Sequence, residues 1–182
     1  MNVLSLFVFP AALFLGAIQA DTVTYKSASY ETQAQIIKRI IHYNDRLKEN
    51  GYPRILVVGA LKFDAQTVEA RRVFNDAGFN AVSSKKAGLY KVLKPTDIVY
   101  VIDDEDLEGL KQICEERKAM TIALFPELVE KGDASIAIVE VKKRFPQPLI
   151  NMERLTLEGH ALSRDILEFS LVVKNGNAPP LL

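Results

Sequence analysis

The chain has 182 residues, 48% of them hydrophobic and 25% charged, which fits one folded domain with a sizeable core and excludes a disordered chain. Lys and Arg number 23 and Asp and Glu number 23, so the formal charge is zero. Such a balance lacks the basic face that phosphate neutralisation needs, which argues against a nucleic-acid partner. Cys114 is the single cysteine, so no internal disulfide can form.

The first residues, MNVLSLFVFPAALFLGAIQA, carry no charged side chain and then give way to DTVTYKSASYETQ. The apolar core from Val3 to Ala17 is short for a membrane span, is interrupted by Pro10 and ends in small and polar residues. It reads as a secretory signal peptide over residues 1–20, cut after Ala20, which would deliver the mature chain to the periplasm. The leader has no Lys or Arg, and an uncleaved N-terminal anchor is the alternative.

Residues 21–30 are polar and read as a flexible lead-in. From Glu31 the apolar residues fall at helical spacing: Ile36, Ile37, Ile40, Ile41 and Leu47 share one stripe, and Asn50-Gly51 with Pro53 ends it. ILVVG then reads as a strand buried on both faces. Asp64 can cap the next helix and Gly78 stops it. FNAVSS reads as a short strand, and residues 85–94 as a helical turn. DIVYVID is a second buried strand, followed by a helix over residues 105–118. MTIALF is a strand and Pro126–Glu130 a short helix. SIAIVEV and PLIN, separated only by KKRFPQ, can form a hairpin. Helical pieces over Met152–Glu158 and Ser163–Lys174 complete the pattern, and residues 175–182 read as a frayed tail.

Strands alternating with helices predict a single-domain α/β three-layer sandwich. Its sheet is expected to be mostly parallel, with helices on both faces and an antiparallel edge hairpin near the C-terminus. The domain is expected over residues 31–174.

Chemistry-bearing patterns are sparse. The turn GALKFDAQ after the first buried strand has one glycine, and Leu61 and Phe63 stand where a phosphate would need open backbone, so no nucleotide is expected. Asp103 and Asp104 end a buried strand, where paired carboxylates can hold Mg²⁺, but they also open a helix, where Asp caps free N–H groups. Capping needs no further residues and is the reading adopted. His42 and His160 have no nucleophile motif or zinc spacing around them and read as surface or packing residues. Lys142 to Arg144 in KKRFPQ form a small basic cluster, read as a solvated hairpin turn, with a contact for an acidic partner or lipid headgroup as the alternative. No catalytic, metal or cofactor site is expected.

Two stretches carry a resemblance. QAQIIKRIIHYNDRLKENGYPRILVVGA brings Tyr43, Asp45 and Arg46 at the end of an amphipathic helix that leads into a strand. SIAIVEVKKRFPQPLINMERLTLEGHALSRDILEFSLVVK brings Asn151, Gly159, Ser163 and Leu167 in an ordered run of strand, turn, strand and helix. Together, over residues 30–174, they resemble the YfiR-like family of exported bacterial proteins. The resemblance implies a compact α/β fold, dimerisation, and a regulatory role without catalysis. It implies binding to the periplasmic part of a membrane-bound signalling protein, a diguanylate cyclase in the best-known case, with the chain peripheral to the membrane. The named residues are expected to serve the fold, Asn151 as a helix cap. Redox control in the family is tied to cysteine pairs, which Cys114 alone cannot supply. A periplasmic small-ligand-binding protein serving a transporter or sensor is the alternative.

Overall fold

The computed structural model describes residues 25–48, 53–59, 64–85, 88–103, 107–142 and 145–173. The leader and tail expected at the two ends lie outside the described residues, as do residues 60–63 of the glycine turn and residues 104–106 of the acidic run. In chain order the first elements are β1 (Tyr25–Ser27), α1 (Tyr30–His42), α2 (Asp45–Lys48), β2 (Arg54–Val58), α3 (Asp64–Asp76) and β3 (Asn80–Ser84). They continue with α4 (Leu89–Val92), β4 (Ile98–Val101), α5 (Leu107–Arg117), β5 (Met120–Ala123), α6 (Pro126–Glu130) and β6 (Ile136–Val141). The last are β7 (Gln147–Asn151), α7 (Met152–Leu157), α8 (Arg164–Leu167) and β8 (Leu171–Val173).

The eight strands of the described residues join one sheet, in the order β3-β2-β4-β5-β6-β7-β8 with β1 beside β6. Strands β2 to β6 run parallel, while β6 and β7 pair antiparallel as the short KKRFPQ connection allows. Alternate residues of the central strands serve opposite faces. Ile55, Val57, Ile98, Tyr100, Met120 and Ile122 pack under α1, α2, α3 and α8. Leu56, Val58, Val99, Val101 and Ala123 pack under α4, α5 and α6. Both faces are covered, so the β-branched runs read from the sequence are buried on both sides and the chain is a three-layer α/β sandwich.

Four expectations change. The lead-in over 21–30 is not loose throughout: Tyr25, Lys26 and Ser27 pair with Val141, Glu140 and Val139 of β6, and α1 already begins at Tyr30. Val139 is also opposite Gln147 of β7, so β1 lies on the other side of β6, beyond the end of β5. The Ser27 hydroxyl donates to the Leu124 carbonyl there, tying this segment to the strand it prolongs.

The stripe ending at Leu47 is two helices rather than one. Asn44 interrupts it, its side-chain oxygen accepting from the N–H groups of Arg46 and Leu47 at 3.2 Å each and so capping α2.

The hairpin is not the sheet edge, and the helix expected over 163–174 stops early. The N–H groups of Phe169 and Ser170 reach back three residues, to Ile166 and Leu167, which tightens and ends α8. Leu171, Val172 and Val173 then form β8, parallel to β7 and outermost in the sheet, with Leu171 and Val173 buried.

At the opposite edge, Gly78 takes φ +90° to end α3 and start β3. The Asn75 amide then lies along the outer side of β3: its oxygen accepts from the Ala81 N–H at 2.9 Å and its nitrogen donates to the Ala81 carbonyl at 3.0 Å.

Candidate interaction surface

The residues singled out by the resemblance come together only in part. Tyr43 ends α1, and its carbonyl accepts from the Ser163 N–H at 3.1 Å. Arg46 donates to the Gly159 carbonyl at 3.1 Å. Between these, Asn44 meets His160 Nδ1 at 3.3 Å, and His160 Nε2 lies 3.1 Å from the Lys118 carbonyl. A carbonyl can only accept, so the imidazole carries its proton on Nε2 and receives the Asn44 amide on Nδ1. Burial, with help from the Arg46 charge, pushes this histidine down to about 4, so it is neutral. His160 is therefore a packing residue, while His42 is exposed on α1.

The other signature residues stand apart from this corner. Asp45 is exposed and pairs with Lys48. Leu167 is half-buried against the core. Asn151 caps α7, accepting from the Arg154 N–H at 2.9 Å and donating to the Val129 carbonyl at 3.0 Å. Each has a structural explanation in hydrogen bonds, charge pairing or packing.

A buried polar network was not visible in the sequence. Glu158 is fully buried at the end of α7, where its carboxylate accepts from Thr121 N at 2.9 Å, Thr121 Oγ1 at 2.6 Å, Arg154 Nε at 3.0 Å and the Ser135 hydroxyl. Arg154, also buried, holds Glu115 and donates to the Lys111 carbonyl at 2.9 Å. Burial pushes the Glu158 carboxyl above the usual range, against the pull of Arg154 and the hydroxyl donors. A perturbed carboxyl often marks a catalytic site. This one is closed on every side by its own donors and has no face for a substrate, so its work is to tie α7 to α5 and to the starts of β5 and β6. The one local signal was the Arg154–Glu158 spacing of a helical ion pair.

No group of three or more His, Cys, Asp or Glu residues that could hold a metal occurs among the described residues. Asp103 is buried, and Cys114 of α5 is buried in the core.

A surface groove of about 500 Å³ lies between α1, the start of β7 and α8. One wall is α1, contributing Gln35, Ile36, Lys38, Arg39, His42 and Tyr43. The other is built from Pro146 and Pro148 at the start of β7, Ile166 of α8, and Phe169. The Tyr43–Ser163 bond fixes the end of the first wall against the segment that leads into the second. Of its lining, Phe169 is 71% exposed, and Phe145, the residue before Pro146, is 92% exposed. Isolated exposed apolar residues are ordinary, but aromatics beside an apolar groove mark interaction surfaces. The polar groups of the groove all come from the α1 wall. They do not converge from several sides as they do around an oriented small ligand.

No family model matches the chain, and no curated protein is significantly similar to it.

Proposed function

We propose that this chain is an exported regulatory module without catalytic activity, which binds the periplasmic part of a membrane signalling protein and holds it inactive. The observation that carries this reading is the groove between α1 and α8, apolar in its floor, flanked by exposed Phe169, and without the convergent polar groups a reaction centre needs. The uncharged leader supports export, and the resemblance of the two stretches supports a diguanylate cyclase as the partner. No helix among the described residues is long and apolar enough to cross a membrane, so the described part of the chain would meet its partner from the side. Repression requires that the module bind the inactive state of the partner more tightly than the active one, since equal affinity shifts no population.

The test is cellular cyclic di-GMP in the native host, with the gene deleted and then restored. A rise on deletion that is reversed on restoration supports repression of a cyclase. An unchanged level, with the protein present in the periplasm, removes the cyclase from the proposal. The volume of the groove also falls within the size range of small-ligand pockets. A small molecule that raises the melting temperature of the wild type but not of Ile36→Glu would favour the ligand-binding alternative.

A further inference from the structure

We infer that the α1–α8 groove is read by an acidic, aromatic-bearing peptide segment of the partner; this rests on the reading above that a protein docks there. The argument is one of charge and shape. The chain as a whole is balanced, 23 basic against 23 acidic residues, yet the groove is lined by Lys38, Arg39 and His42 with no Asp or Glu. Arg39 is exposed and makes no ion pair among the described residues, so its charge is available to a visitor. The three basic side chains all belong to α1, within a span of about one helical turn.

The opposite wall is apolar and rigid, with Pro146 and Pro148 and the Phe169 ring. A segment lying along the groove would place carboxylates against α1 and a large apolar side chain between Ile36, Ile166 and Phe169. Charge at the rim would set encounter rate and orientation, and the buried apolar anchor would supply most of the affinity. A membrane surface suits the site less well. Ile36, Tyr43 and Ile166 lie in the floor of a concave groove, where a planar bilayer would not reach them.

The experiment is selection from a random peptide library displayed on phage, using the purified protein as bait. Selected peptides should be enriched in Asp and Glu flanking Phe, Tyr or Trp. They should lose about tenfold or more in affinity to Arg39→Glu and to Phe169→Ala. They should bind Arg71→Glu unchanged, since Arg71 is exposed on α3 outside this groove. Failure to enrich any peptide, enrichment without an acidic excess, or equal binding to Arg39→Glu would overturn the inference. So would association with phosphatidylglycerol vesicles that the same two substitutions abolish, because the face would then belong to a membrane. A rise in cyclic di-GMP on deletion combined with failure of the peptide selection would leave the regulatory reading standing and remove only this account of its partner.

Discussion

The N–H of Ser163 donates to the carbonyl of Tyr43 at 3.1 Å, so the end of α1 and the approach to α8 are joined through the backbone. Gly159 stands close by with φ +75°, and a Cβ placed on it would come within 2.8 Å of Arg46 Nη1 and 2.9 Å of Lys118 Cδ. Arg46 can swing away, but the left-handed backbone remains strained for any side chain. Gly159→Ala is expected to lower stability by about 1–2 kcal/mol. Urea unfolding midpoints of the two proteins check this, and equal midpoints would show that the loop relaxes freely.

His160 predicts a pH dependence. Its folded value of about 4 lies below the ordinary 6.5, so in acid the unfolded chain takes up the proton first. The stability this residue contributes is complete above about pH 6.5 and is lost as the pH falls toward about 4, amounting to up to about 3 kcal/mol. Carboxyl groups protonate in the same range of pH, so the quantity to measure is the difference between the wild type and His160→Gln. The acid-side loss should be smaller in the variant, and parallel curves would refute the assignment.

The Glu158 network predicts unequal costs. Glu158→Leu leaves the buried Arg154 guanidinium without one of its two carboxylate partners and strands the Thr121 and Ser135 donors, for a loss of about 3–5 kcal/mol. Changing Arg154 to Met in the same chain removes the uncompensated charge. The double variant should therefore be less damaged than the sum of the single ones. A thermal unfolding cycle over the four proteins measures the coupling, and strict additivity would contradict it.

Cys114 should be inert while the protein is folded. Its thiol is fully buried, and burial together with the nearby Glu158 charge pushes its ionisation far above the usual range. Reaction with Ellman's reagent is expected only at the rate of unfolding, and non-reducing gels should show no disulfide-linked dimer. Rapid labelling of the native protein would show that α5 opens.

The central strands were legible because ILVV, IVYV and IAIVEV are apolar at every or nearly every position, a pattern that a doubly covered sheet demands. Tyr-Lys-Ser of β1 has no such pattern. Its strand exists because Ser27 meets Val139 across more than half of the chain, and no local signal encodes that pairing. Leu167 at the end of α8 and Leu171 at the start of β8 stand four residues apart, a spacing that a helix also satisfies, and the outcome was decided by the slot beside Leu149 and Ile150. Glu158 read as an ordinary helical acid because its four donors lie on β5, on the approach to β6 and on Arg154, and only the fold brings them together. The groove was hidden for the same reason. Arg39 and Phe169 belong to distant stretches, each unremarkable alone, which meet only when α8 packs beside α1.

Asn75 has a consequence for how copies of this protein behave together. Its amide presents to Ala81 the donor and acceptor that a neighbouring strand would offer, so the outer side of β3 is stoppered at its second residue. A second molecule arriving there would have to evict that amide before it could zip onto the sheet. At that position an edge-to-edge approach to β3 meets a donor and an acceptor already in use rather than open backbone.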